Sequence, residues 1–244
     1  MNSGYYAACA GLKAQTQALD LIAHNLANIN TTGYRAEQTT FRSLLASARG
    51  TVPGALNYAL NDFGVIGSSH LDFSPGSLAA TGNPLDLGLE GQGFFAVQTT
   101  HGSMYTRNGN FSVSAKGQLV TAAGDAVLGE SGPISIPNGV ASVSPDGTLS
   151  VNGAVAGKLQ VVDFPADAGL SPAGGSYYSA PEGSAQKARD YAVRQGMLES
   201  SNVNAVASVV DLIAVQRHAE MLQRALSTFY SDFNHIAAAD LPRV

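Results

Sequence analysis

The chain has no tryptophan and a single cysteine, Cys9. One thiol cannot make an intrachain disulfide, nor a metal site with a second cysteine. Its place on the apolar side of a helical segment marks it as a packed, inert thiol. Charge is scarce as well. Asp, Glu, Lys and Arg make up 13 % of the residues, against roughly 25 % in ordinary soluble domains. The net charge of −5 leaves no basic surplus, which argues against nucleic acid or an anionic membrane surface as the main partner. No window approaches the roughly 18 apolar residues of a membrane span. The opening residues, MNSGYYAACAGLKAQ, carry no positive charge before Lys13, and Gly11 and Lys13 interrupt their apolar run. They do not read as a cleaved export signal. The expectation is a cytoplasmic protein, or one exported without such a signal.

Catalytic signatures are missing too. The histidines His24, His70, His101, His218 and His235 form no H-x-x-x-H pair and none stands near Cys9, so no metal site is expected. No G-x-S-x-G elbow occurs, and the carboxylates are scattered. Gly91-Gln-Gly93-Phe-Phe-Ala96 fits G-x-G-x-x-A. A dinucleotide turn must open a helix whose N-terminus receives the pyrophosphate, and here an aromatic, β-branched run follows. A tight turn between two strands explains the glycines. Neither enzyme activity nor a cofactor is expected.

What the sequence does contain is strong periodicity at both ends. Tyr5, Ala8, Leu12, Gln15, Leu19, Ile22, Leu26 and Ile29 alternate spacings of three and four, a heptad seam with one polar position. A helix from about Ser3 to Asn30 would be roughly 40 Å long. Leu212, Val215, Ala219, Leu222, Leu226, Phe229, Phe233 and Ile236 repeat the pattern, and Val203, Val206, Val210 and Ile213 form a second stripe. That helix, from about Asn204 to Ala238, would run roughly 50 Å. Asn202 or Asn204 can cap its start, and Pro242 limits its end. The stripes either pack within the chain's own domain or meet copies in other subunits. A weakly charged, small-residue surface tolerates close self-packing, which points towards assembly.

The middle, about Ser69 to Arg194, reads as β structure punctuated by turn dipeptides at Asn138–Gly139, Asp146–Gly147 and Asn152–Gly153. Ser112–Leu119 and Ser142–Leu149 share S-V-S-x-x-G-x-L, which predicts two similar hairpins. The Gly/Ser/Pro-rich stretch Ser171–Gln186 reads as a loop, and residues 43–68 are weakly patterned. The fold class is α+β: long N- and C-terminal helices forming an inner helical domain, and a central all-β outer domain of hairpins. The expected domains are 1–35 with 200–244, a connecting segment 36–68, and 69–199. The stretch 69–194 is expected to fold alone.

The first helix stops abruptly in HNLANINTTGYR, residues 24–35. Gly33 can supply the positive φ that ends a helix. Three asparagines in so short a span exceed what a helix end needs, since Asn is a poor helix former.

NLANINTTGYR resembles the N-terminal signature of flagellar rod and hook proteins, of the form N-L-A-N-x-x-T-x-G-[FY]-[KR]. Two further stretches agree in order. TGNPLDLGLEGQGFFAV with YTRNGNFSVSAKGQLVTAAG is similar to that family's central block, and GMLESSNVNAVASVVDLIAVQRHAEM to its C-terminal helix block. Within the family the chain resembles the shorter rod subunits, because the hook protein carries extra outer domains. The resemblance implies a structural subunit of the basal-body rod in the periplasm, exported by the flagellar type III apparatus. Its partners would be copies of itself and other rod proteins, with no nucleic acid and no membrane insertion. The implied assembly seam is Leu12, Leu19, Ile22, Leu26, Ile29, Leu212, Val215, Leu222, Leu226, Phe229 and Phe233. The signature residues are Asn25, Leu26, Ala27, Asn28, Thr31, Gly33, Tyr34 and Arg35. The competing reading is a soluble ligand-binding β domain or enzyme with helical flanks.

Overall fold

The structure is a computed structural model that describes the backbone of residues 2–42, 65–165 and 168–240. It describes side chains at 8–38, 70–165, 168–228 and 230–231. Most of the weakly patterned segment 43–68 lies outside the described residues. The architecture is α+β, with a long helix near each end and a β-rich middle. Helix α1 spans Asn2–Ala27 and α2 spans Ala205–Asp240. Helix α1 stops three residues short of the expected Asn30. There the Thr31 N–H donates to the Asn28 carbonyl at 3.1 Å, and the Thr31 hydroxyl donates to Asn28 Oδ1 at 3.1 Å. Such local side-chain bonds compete with a continuing helix. Asn204 occupies the position before α2. Asn202, the other expected cap, is engaged elsewhere, as described below.

The chain divides into two compact units. One holds α1 up to Leu26, a two-stranded sheet of β1 (Glu37–Arg42) and β2 (Val65–Leu71) through Ser69, and α2. The other comprises Ala27–Ala36 and His70–Asn204. It therefore includes most of the signature after α1.

This second unit is built of antiparallel strands. In chain order they begin with β3 (Leu78–Ala80), β4 (Leu87–Gly91), β5 (Phe94–Thr99), β6 (Gly102–Thr106), β7 (Phe111–Val113), β8 (Leu119–Thr121), β9 (Ala126–Gly129) and β10 (Gly132–Pro133). There follow β11 (Ala141–Val143), β12 (Thr148–Val151), β13 (Ala154–Lys158), β14 (Val161–Asp163), β15 (Ser171–Gly174), β16 (Tyr177–Ser179), β17 (Gln186–Lys187), β18 (Tyr191–Gln195) and β19 (Met197–Glu199). The main sheet runs β15-β16-β6-β5-β9-β8-β7, with β10 on β9, β14 on β5 and β17 on β14. Strands β11-β12-β13 form a second sheet, while β18 pairs with β4 and β19 with β3.

Strand alternation explains the double phenylalanine that follows Gly93. Successive side chains on a strand point to opposite faces. Phe95 joins the larger core with Leu87, Leu89, Val97, Leu119 and Leu149. Phe94 joins the smaller one with Leu71, Val162, Phe164 and Tyr178. The glycines before them serve the turn: Gly91 has φ +92° and Gly93 φ +118°, and no helix follows.

Both copies of S-V-S-x-x-G-x-L form the same hairpin. Val113 pairs with Leu119, and Val143 with Leu149. In one, the Ser114 N–H donates to the Gln118 carbonyl at 2.8 Å; in the other, the Ser144 N–H donates to the Thr148 carbonyl at 2.9 Å. The stretch 171–186 departs from the loop reading, because β15 and β16 pair there as a hairpin. Gly174, Gly175 and Ser176 all take positive φ, which turns the chain tightly, and Tyr177–Tyr178 supply strand-forming side chains.

Candidate functional site

The signature segment after α1 lies in the β unit: a run of turns over 28–33 leads into a short strip, from Gly33 to Ala36, bonded to the residues that precede α2. The Gly33 N–H donates to the Glu199 carbonyl at 2.8 Å, and the Asn202 N–H to the Tyr34 carbonyl at 3.3 Å. The Ala36 N–H donates to Asn202 Oδ1 at 2.7 Å. The Asn202 Nδ2 donates in turn to the carbonyls of Asp72 and Ser74, both at 3.0 Å. Asn202 is thus a staple between three segments rather than a helix cap. Gly33 holds φ +69° and lies against the backbone of Arg107 and Asn108, where a Cβ would collide. The Arg35 N–H donates to the Tyr178 hydroxyl at 2.9 Å.

Three charged side chains converge under this strip. Arg35 Nη2 lies 2.7 Å from Glu199 Oε1, and Arg107 Nη1 lies 3.1 Å from Glu199 Oε2. The side chains of Arg35 and Glu199 are 0 % exposed. The Gly76 N–H is the third partner of this carboxylate, donating to Glu199 Oε1 at 2.8 Å. Arg107 donates to the Leu89 carbonyl at 3.2 Å and the Gly91 carbonyl at 2.7 Å. Its guanidinium carbon stands 5.3 Å from the centre of the Phe94 ring, a cation–π arrangement. Burial pushes the Arg107 guanidinium down to about 10, while the Glu199 carboxylate pulls it up. It is still charged at neutral pH. Arg35 is less well provided for: among the described residues its Nε and Nη1 meet no hydrogen-bond acceptor.

A polar clasp secures the neighbouring loop. Asp86 Oδ1 accepts from Asn83 Nδ2 at 3.0 Å and Asn110 Nδ2 at 3.2 Å. The Leu87 N–H donates to the Gly109 carbonyl at 3.0 Å. The stretches around PLD and RNGN therefore lie side by side, next to the triad.

The expected seam residues that can be placed are neither buried nor fully free. Leu12, Leu19, Ile22, Leu26 and Ile29 are partly buried, as are Leu212, Val215, Leu222 and Leu226. The side chains of Phe229 and Phe233 lie outside the described residues. Among the described residues of α1 the buried positions are Ala8, Gly11, Ala14 and Ala18, all small, and Asn25. Of the signature, Asn25, Gly33, Tyr34 and Arg35 are buried, Leu26, Asn28 and Thr31 partly so, and Ala27 is exposed. On α2 the second stripe stands open, with Val206 75 %, Val210 59 % and Ile213 46 % exposed. Sequence reasoning missed Glu199, Arg107, Tyr178 and the stapling role of Asn202. A charge just after β6, in YTRNG, and one at the end of β19, in MLESS, were the available signal. Among the described residues no group of His, Cys, Asp or Glu is placed to hold a metal ion, and no helix is long and apolar enough to cross a membrane.

Comparison with known proteins assigns this architecture. Residues 6–35 match the family described as flagella basal body rod protein. Residues 88–151 match the flagellar hook protein FlgE/F/G D1 domain, and residues 194–230 the flagellar basal body rod FlgEFG protein C-terminal family. The chain is similar to the flagellar basal-body rod protein FlgF of Mesorhizobium japonicum, 33 % identical over 89 % of each chain. It is similar to FlgG of Agrobacterium fabrum at 34 % identity, covering 91 % of this chain and 93 % of the relative. It is also similar to FlgF of Escherichia coli at 33 %, covering 93 % and 94 %. The chain belongs to the flagellar basal-body rod protein family. The buried triad draws one residue from each of the three matched stretches: Arg35, Arg107 and Glu199.

Proposed function

We propose that this chain is a structural subunit of the flagellar basal-body rod, polymerising helically through α1 and α2 to form part of the drive shaft across the periplasm. The observation that carries this reading is the open stripe Val206, Val210 and Ile213 on α2, together with the half-buried seam leucines. Among the described residues these apolar faces are only partly covered. Contacts between such faces on successive copies are heterologous, and a heterologous contact that does not close into a ring builds a filament. In this arrangement the helices form the inner layer and the β unit the outer one. The seam comprises the residues named from the heptads, and the signature residues fix the hand-over between layers. The role is structural rather than catalytic. Other rod proteins are its neighbours, and the flagellar type III apparatus exports it.

Within the family the FlgF role, in the proximal rod, fits best, because the segment between Arg35 and the PLD block is short, as in FlgF. FlgG is the second reading, supported by an identity to the Agrobacterium fabrum protein as high as that to the FlgF relatives. The experiment is deletion of the gene followed by electron microscopy of basal bodies. Loss of complete rods, restored by the wild-type gene, is expected. A deletion strain that swims and carries intact rods would rule the role out. Density for the subunit at the proximal or the distal end of the rod separates the FlgF from the FlgG reading.

A further inference from the structure

We propose that the Arg35–Glu199 ion pair is a coupling latch: it makes attachment of the strip after α1 and attachment of the strip before α2 a single event. The latch belongs to the individual subunit, whatever that subunit builds.

Three observations point to it. The two strips bond to each other directly, through Gly33 to Glu199, Ala36 to Asn202 and Asn202 to Tyr34. Neither can lift from the β unit without leaving the other's backbone groups open. The second is the distribution of charge. Two buried guanidiniums share one buried carboxylate, so losing Glu199 removes the ion-pair partner of both. The third is an asymmetry between the arginines. Arg107 keeps the Leu89 and Gly91 carbonyls and the Phe94 ring if Glu199 is lost. Arg35 keeps no acceptor for its guanidinium among the described residues. A buried cation without a counter-charge is strongly disfavoured, whereas replacing both partners by apolar groups is often tolerated. Losing the Glu199 charge should therefore expel Arg35, and with it the Gly33–Ala36 strip. That strip then withdraws its bonds from Glu199 and Asn202, and the start of the C-terminal segment opens too.

The chain order gives the latch a consequence. Arg35 and Arg107 both precede Glu199 in sequence, so the N-terminal strip gains its counter-charge only when the C-terminal block is in place. A chain that has not yet supplied residue 199 holds its signature strip unlatched.

Amide hydrogen exchange on the full-length chain tests this. Glu199→Gln keeps the shape and removes the charge. Exchange at Gly33, Arg35, Ala36 and Asn202 should rise together by about a hundredfold, while Phe95 and Val97 in β5 exchange less fast than the strips. Adding Arg35→Met to Glu199→Gln should return both strips to within about tenfold of wild type, since it removes the stranded cation. Acceleration of residues 33–36 with Asn202 unchanged would overturn the coupling, as would no change in either strip. If Glu199→Gln opens the whole unit, the double variant decides: restored protection supports the latch, and equal loss overturns it.

Discussion

The side-chain amide of Asn25 grips both backbone groups of Glu37: its Nδ2 donates to the Glu37 carbonyl at 2.8 Å, and its Oδ1 accepts from the Glu37 N–H at 3.0 Å. An asparagine near the end of α1 therefore fixes the first residue of β1. Asn25 is 8 % exposed, so water cannot replace the lost bonds. Asn25→Ala should cost roughly 1–3 kcal/mol. Asn25→Asp should cost at least as much, because a carboxylate would face the Glu37 carbonyl. Denaturant unfolding, with exchange of the Glu37 amide, measures both. Unchanged exchange at Glu37 in Asn25→Ala would show that the clasp is incidental.

Gly33 and Gly82 make a matched pair for a second prediction. Both take positive φ, +69° and +76°. A Cβ at Gly82 would meet nothing, whereas one at Gly33 would collide with the Arg107–Asn108 backbone. The left-handed conformation alone costs an L-residue roughly 1–2 kcal/mol. Gly82→Ala should show that amount. Gly33→Ala should show at least about 1 kcal/mol more, because the strip must shift away from a neighbouring backbone. Equal urea midpoints for the two variants would remove the close approach from the argument.

Some of this was legible beforehand. Heptad spacing gave both helices, because periodic apolar positions are a local signal carried within each segment. The TTG sequence gave Gly33 its positive φ for the same reason, and the paired S-V-S motifs gave their hairpins. The triad was not legible. Arg35, Arg107 and Glu199 are far apart in the chain, and each by itself reads as a surface charge. Only the pairing of β19 with β3, and the docking of the strip beside it, brings them together. Asn202 was misread for a related reason. A cap is the local use of an asparagine before a helix, but distant backbone groups of Ala36, Asp72 and Ser74 claim its amide. The hairpin at 171–186 was hidden because glycine and serine mark a loop and a tight turn alike.

The same reasoning reverses an expectation about fragments. A piece from Ser69 to Arg194 contains most hairpins and looks self-sufficient in sequence. It lacks Glu199 and Arg35, and it lacks the β19 strand that pairs with β3. Arg107 would lose its carboxylate and the Leu78–Ala80 strand its β19 partner, losses that weigh heavily against a domain's marginal stability. The 69–194 piece should melt without cooperativity. A piece from Ala27 to Asn204 keeps the whole β unit and should melt cooperatively with a β-type circular dichroism spectrum. Two cooperative melts at the same temperature would show that the triad is dispensable.

The strongest separation of folding from assembly comes from α2. Val206, Val210 and Ile213 follow one another at spacings of four and three, so they share a face, and each is substantially exposed. Val210→Asp puts a charge on that face. In the isolated subunit water solvates the carboxylate, and stability should stay within about 0.5 kcal/mol of wild type. In a rod whose subunits meet through this stripe, the same carboxylate is taken out of water without a partner, at a cost of several kcal/mol. The variant should therefore purify as a normally folded subunit and leave cells non-motile, with few complete basal bodies. Leu89→Asp, at a position 1 % exposed in the β core, is the contrasting control and should fail already as a monomer. Leu19→Asp and Leu226→Asp, at half-buried seam positions, should combine a moderate loss of monomer stability with loss of motility. Normal swimming in cells that express Val210→Asp at wild-type level would exclude the stripe as an assembly surface. A Val210→Asp subunit that unfolds by itself would show that this face belongs to the subunit's own core.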